Sequence, residues 1–198
     1  MTIYDLKPAF QNLLRPIVNT LAHAGVTPNQ ITYAALLLSF AAGGAIAFTH
    51  GASWVLLSIP AVMFLRMALN AIDGMLAKEH DMKSDAGAML NEMSDVLSDA
   101  ALYLPFTLIE GVFALWVVLF VIMAILTEMA GVLGALIGGV RRYDGPMGKS
   151  DRAFVIGTLS LGLGLGVLSD GWFDTVMMVA TLMGAWTVLR RAMRGLGS

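Results

Sequence analysis

The chain has 198 residues, room for one domain, and 58% of them are hydrophobic against 13% charged, with a mean hydropathy of +0.77; soluble domains carry about 25% charged residues. No Asp, Glu, Lys or Arg occurs between Ile31 and Leu65, a longer uncharged run than a buried soluble helix needs. Such proportions exclude a soluble enzyme, a disordered chain and a nucleic-acid binder, and the lack of cysteine excludes disulfides, thiolate catalysis and Cys-ligated zinc. The expected fold is all-α: a polytopic membrane protein, one domain over 1–198, with an N-terminal interfacial helix (1–25) and a six-helix bundle (29–194).

The N-terminus lacks the pattern of a signal peptide. Ile3, Leu6, Phe10, Leu13, Leu14, Ile17, Val18 and Leu21 recur at spacings of three and four, with Asp5, Lys7, Gln11, Asn12, Arg15 and Asn19 between them. That pattern predicts an amphipathic helix lying in the membrane interface, kinked or split at Pro16. Thr27-Pro28-Asn29-Gln30 reads as a helix start, with Thr27 as N-cap, Pro28 at the first helical position and Gln30 closing a capping box.

Six spans follow, over 29–49, 53–78, 87–109, 111–139, 153–169 and 174–191. Of the 12 basic residues, all except Arg66 then fall on one side. The positive-inside rule makes that side cytoplasmic, with both termini and the 2–3 and 4–5 loops. No internal repeat supports an inverted-repeat transporter. Gly162, Gly164 and Gly166 read as helix packing, as do Gly131, Gly134 and Gly138. His23, His50 and His80 lack ligand spacing.

Ionisable groups at membrane depth are costly and call for a reason. Arg66, Asn70 and Asp73 stand at the end of span two, and Gly87, Asn91, Asp95 and Asp99 recur every four residues in span three, beside Glu92. A short turn would bring the two stripes face to face near the cytoplasmic surface. Carboxylate and amide oxygens in that number suit a hard cation such as Mg²⁺, Mn²⁺ or Ca²⁺. Gly74, Ala77 and Gly87 leave the same face free of bulk, so a phosphorylated ligand can approach the backbone. A polar network that glues helices is the plainer alternative.

The stretch Asn70-Ala-Ile-Asp73-Gly74-Met-Leu-Ala77-Lys78, eight residues, then Gly87-Ala-Met-Leu-Asn91-Glu-Met-Ser-Asp95 resembles the signature of the CDP-alcohol phosphotransferase (CDP-alcohol phosphatidyltransferase) family, D-x-x-D-G-x-x-A-R…G-x-x-x-D-x-x-x-D. RMALNAIDGMLA and LNEMSDVLSDAALYLPF are most similar to its YnbA-like bacterial branch. The resemblance implies a phospholipid-synthesising transferase that moves the phosphatidyl group of CDP-diacylglycerol to a small polar alcohol and releases CMP. It implies a homodimer in the bacterial inner membrane, its active site facing the cytoplasm. It places Asn70, Asp73, Asn91 and Asp95 at the metal positions, for Mg²⁺ or Mn²⁺, and Asp95 at the general base. Gly74, Ala77, Lys78 and Gly87 take the CDP-contacting positions.

Asn70 and Asn91 stand where the family has aspartate, and Lys78 where it has arginine. Each Asn keeps an oxygen ligand but removes a charge, which predicts weaker metal binding and one ion rather than two, with Glu92 or Asp99 as candidate compensation. Lys78 loses the bidentate fork of arginine. Arg141, Arg142, Lys149 and Arg152 crowd the 4–5 loop; as the family's acceptor side they predict a phosphate-bearing acceptor, while topogenic charge explains Arg141 and Arg142 equally well. Glu128 either lines the acceptor pocket or pairs with Arg66. The competing function is a catalytically degenerate CDP-lipid sensor or scaffold, whose role would survive loss of the Asp95 carboxylate; a small transporter is disfavoured by the few polar residues in the outer half.

Overall fold

The computed structural model describes residues 3–197, with side chains described over 8–197. Seven α-helices follow one another: α1 (Ile3–His23), α2 (Pro28–Thr49), α3 (Ser53–Glu79), α4 (Asp85–Tyr103), α5 (Ala114–Gly138), α6 (Lys149–Gly164) and α7 (Asp170–Leu196), with a 3-10 turn (Leu104–Leu108) after α4. By length and composition α2, α3, α5 and α7 can each cross a membrane; α4 and α6 are shorter, at 19 and 16 residues. Large apolar side chains point outward around the bundle, among them Phe48 (89% exposed), Leu136 (81%) and Phe154 (75%). Such a girdle has no place in water and is what lipid contact requires.

Local chemistry sets the helix ends. The Thr27 hydroxyl accepts from the Gln30 amide at 3.4 Å and the Gln30 side chain accepts from the Thr27 amide at 2.9 Å, so the expected capping box opens α2. The Ser84 hydroxyl caps α4 by accepting from the Gly87 amide at 3.0 Å. Pro105 turns the end of the third predicted span, 87–109, into the 3-10 turn, because proline cannot donate to the preceding helical turn. The fifth predicted span corresponds to α6, which starts four residues before the expected 153, since the Asp151 carboxylate accepts from the Gly148 amide at 2.9 Å and fixes the first turn there. The last helix takes in Asp170 at its start and Arg194 at its end, beyond the predicted 174–191.

Pro16 does not split α1, which is continuous through Pro8 and Pro16. Tertiary packing outweighs the lost hydrogen bond: Leu14 and Val18 are buried against Ile31, Ile72 and Leu76, and Arg15 grips Glu79 at the end of α3 with a two-pronged contact at 3.0 and 3.1 Å. The predicted faces of Asp5, Lys7, Ile3 and Leu6 lie outside the described side chains.

The main core fills the half of the bundle away from the motif. Ile46, Ile59, Leu102, Phe106, Phe120, Phe173 and Met177 are fully or almost fully buried there, and the Phe106 and Phe173 rings stack at 5.9 Å. A Cβ on Gly43 would lie 2.0 Å from the Ala101 carbonyl oxygen, so α2 meets α4 backbone to backbone at that point. Gly164 packs against Leu57 as expected, whereas Gly131 and Gly134 receive a returning loop: the Arg142 amide donates to the Gly131 carbonyl at 3.2 Å.

Helices alternate in direction, so the C-terminal ends of α3, α5 and α7 gather with the N-terminal ends of α2, α4 and α6. All the polar motif lies at this end.

Candidate active site

Two clefts open along successive parts of α3, one over residues 73–78 and the other over 60–70. One, of about 420 Å³, is lined by Asn29, Asp73, Gly74, Ala77, Lys78, Ser84, Gly87 and Asn91 among others. The four positions expected to contact CDP therefore share one cleft with two of the four expected at the metal. A Cβ on Gly74 would meet nothing within 4 Å, which leaves the α3 backbone open to the cleft, whereas one on Gly87 would crowd Ser84 and Asn29 at 2.9 and 3.0 Å. The two glycines thus serve different needs: Gly74 keeps space for a ligand and Gly87 lets the α4 cap close on α2.

Asp73 is buried at 7% exposure and accepts a hydrogen bond from the Thr32 hydroxyl. Asp95, on the facing helix, pairs with the Lys149 ammonium, and its carbonyl accepts from Arg66 Nη2 at 3.3 Å. Asp73 lies within electrostatic range of both Asp95 and Lys149. Asn70 faces the second cleft, of about 560 Å³, with Arg66, Lys149, Ser150 and Thr158 at its polar part and Phe64, Met67, Phe154 and Leu161 along its apolar wall. Its single turn of separation from Asp73 spans three residues, so the two side chains diverge by about 60° around the helix axis.

Behind Asp95 lies a buried ion-pair network that joins α3, α4, α5 and α6. Asp99 contacts Arg66 at 2.7 Å and Arg152 at 3.0 Å, and Glu128 contacts Arg152 and Arg141 at 2.8 Å each. Arg141 also pairs with Glu92. Arg152, 1% exposed, spends its remaining donors on the Thr127 hydroxyl at 2.9 Å and the Met147 carbonyl at 3.3 Å. Of the basic residues expected on the acceptor side, then, Lys149 lines a cleft, Arg141 sits half-buried at its carboxylates, Arg142 lies over Gly134, and Arg152 is interior. Glu128 pairs with Arg152 and Arg141, while Arg66 takes Asp99 instead.

Asn29 and Thr32 were invisible as site residues from the motif alone. Their signal is positional: they stand one turn apart just inside the α2 capping box, on a face that meets α3. The sequence also gave no warning of Arg191, which is 2% exposed and donates to the Thr127 and Asp144 carbonyls at 2.5 and 3.0 Å.

The oxygens offered by Asp73, Asp95, Asn70 and Asn91 are all hard donors, a set that fits a small divalent cation. Among the described residues, no three His, Cys, Asp or Glu side chains converge on a common metal position. Any ion must therefore draw on amide oxygens as well as on Asp73 and Asp95. Glu92 and Asp99, the candidates to restore charge, are matched by arginines instead.

The sequence profile of CDP-alcohol phosphatidyltransferases matches residues 25–189. The Escherichia coli (strain K12) inner membrane protein YnbA is 44% identical over 191 residues, covering 96% of this chain and 94% of its own. Among solved structures, Mycobacterium tuberculosis phosphatidylinositol phosphate synthase with CDP-DAG bound superposes with a TM-score of 0.77 over 91% of this chain and 92% of that one, at 16% identity. The same enzyme in complex with manganese and citrate gives 0.76 at 17% identity, over 91% of this chain and 88% of that one.

Proposed function

The chain belongs to the CDP-alcohol phosphatidyltransferase family, and from that premise we propose that it transfers the phosphatidyl group of CDP-diacylglycerol to a small polar alcohol, releasing CMP. The observation that carries the proposal is the cleft that gathers Asp73, Gly74, Ala77, Lys78, Gly87 and Asn91, bare at Gly74 and neighboured by Asp95. In this reading all six helices after α1 span a bacterial inner membrane, α1 lies in its interface, and the clefts open to the cytoplasm, as the one-sided basic residues require. A homodimer is the proposed assembly.

The nucleotide diphosphate lies along α3 with its phosphates at Gly74 and Lys78, where a Cβ-free backbone permits close approach. Asn70, Asp73, Asn91 and Asp95 would hold one Mg²⁺ or Mn²⁺, which when bound neutralises diphosphate charge. The acceptor hydroxyl comes in from the Lys149 side. Its oxygen bonds to the phosphorus that carries diacylglycerol, the phosphoanhydride bond to CMP breaks, and the hydroxyl proton passes to the Asp95 carboxylate. Thr32 orients Asp73, and Lys149 orients Asp95 until the hydroxyl takes its place. Arg66, Arg152, Asp99 and Glu128 fix α3, α4, α5 and α6 relative to one another, which preserves the spacing of the reacting groups.

A second reading, a CDP-lipid sensor or scaffold without turnover, draws on the two asparagines that leave only Asp73 and Asp95 charged. Purified protein given CDP-diacylglycerol, Mn²⁺ or Mg²⁺ and a pool of alcohols separates the two. Turnover predicts CMP release that needs metal and alcohol and is lost in Asp95→Asn. Nucleotide-lipid binding without CMP release, unchanged in Asp95→Asn, favours the sensor.

A further inference from the structure

The loop-side cations invite the expectation of a phosphorylated acceptor, but the structure gives them other partners. Arg141 is held by Glu92 and Glu128, Lys149 by Asp95, Arg152 by Asp99 and Glu128, and Arg66 by Asp99. Four cations thus meet four carboxylates of the chain itself. Arg191 is taken up by two carbonyls and Arg194 by Asp144 at 2.6 Å. Arg142 has no carboxylate partner among the described residues, yet its stem is laid against Gly134, on α5 rather than in either cleft.

A phosphate ester entering here would have to displace a carboxylate from its guanidinium and then sit beside it, with the carboxylate left partly buried and like-charged. A neutral hydroxyl has no such conflict. It donates to a paired carboxylate, which has lone pairs to spare, and accepts from Lys149 or an amide. The second cleft supplies neutral partners of this kind next to Lys149: the Asn70 amide and the Ser150 and Thr158 hydroxyls.

We infer that the acceptor is an uncharged polyhydroxy alcohol rather than a phosphate ester, and that Glu92 and Glu128 set this choice by holding Arg141 and Arg152 away from the two clefts, neither of which they line. The inference rests on the transferase reading above and narrows its substrate class. Sites that pair buried polar groups with the right partner reject the wrong one strongly.

The test compares alcohols that differ only by phosphate: glycerol against glycerol 3-phosphate, and inositol against its monophosphate, by CMP release. The expected kcat/KM favours the free alcohol by about tenfold or more. Glu92→Gln, alone and with Glu128→Gln, should move that ratio toward the phosphate ester by a similar factor. A wild-type preference for the phosphorylated member overturns the inference. A parallel arm measures thermal stabilisation of the purified protein by glycerol 3-phosphate. Stabilisation is expected in Glu92→Gln and not in wild type; equal stabilisation of both overturns the inference. Glu92 keeps 30% of its side chain exposed against 10% for Glu128, so the single variant is the milder change and stays folded if the double variant does not. If no alcohol of either kind releases CMP, the transferase reading fails, and the binding arm still decides whether the arginines are open to phosphate.

Discussion

Replacing Asp99 with Asn keeps the shape of the side chain and removes the one carboxylate shared by Arg66 and Arg152. All three side chains are at most 4% exposed. Breaking a buried ion pair by removing one partner costs about 3–5 kcal/mol, because the other charge stays behind without compensation. Here the two arginines are affected unequally. Arg152 retains Glu128 at 2.8 Å, whereas Arg66 retains the Asp95 carbonyl at 3.3 Å but no carboxylate contact among the described residues. The loss should therefore fall near the lower bound, about 3 kcal/mol, or about 6–12 °C in unfolding midpoint for a chain of this size. Adding Arg66→Met removes the stranded charge and should recover about 1–2 kcal/mol of it. Thermal unfolding of the wild type, the single and the double variant in one detergent measures both terms. An Asp99→Asn midpoint within about 2 °C of wild type, or a double variant no more stable than the single, would refute the network as described.

Three further outcomes follow from the same geometry. Gly43→Ala drives a Cβ to 2.0 Å from the Ala101 carbonyl oxygen, and since backbone cannot swing aside it should destabilise by about 3 kcal/mol, read from the same thermal unfolding. Gly74→Leu meets no protein atom at its Cβ, so its unfolding midpoint should hold or rise, glycine being about 1 kcal/mol unfavourable inside a helix, while CDP-diacylglycerol binding falls; unaltered binding would remove the nucleotide from this cleft. Asn70→Asp with Asn91→Asp returns two charges to the donor set, and the Mg²⁺ or Mn²⁺ concentration for half-maximal CMP release should drop. An unchanged metal requirement would break the link between those asparagines and the ion.

The helical framework was legible because its signals are local. Thr27 and Gln30 announce the start of α2, and the four-residue repeat from Gly87 to Asp99 places those side chains along one face of α4. For the same reason helical spacing groups Asp73, Gly74, Ala77, Gly87 and Asn91, on two segments joined by a short turn, and the family resemblance adds Lys78. What the motif did not disclose depends on contacts between distant segments. Thr32 reaches Asp73 from 41 positions away, and Arg152 reaches Asp99 across 53 and Glu128 across 24. Membrane depth says that Arg66, Asp99 and Glu128 need partners inside a bundle, while Arg152 reads as a loop residue and is instead buried in α6; only the crossing of the helices decides which partner each receives. The same crossing sets Arg141 and Arg152 of the predicted acceptor side against Glu92, Asp99 and Glu128.

The most direct measurement uses CDP-diacylglycerol labelled with ³²P in the phosphate next to diacylglycerol, with the protein in proteoliposomes, Mn²⁺ and the alcohol pool. Phosphatidyl transfer predicts that the label appears in a new lipid bearing the alcohol as its headgroup, that the released CMP is unlabelled, and that Asp95→Asn yields neither. Label that stays in CDP-diacylglycerol while the protein binds it, or that enters a new lipid equally in Asp95→Asn, would contradict the account.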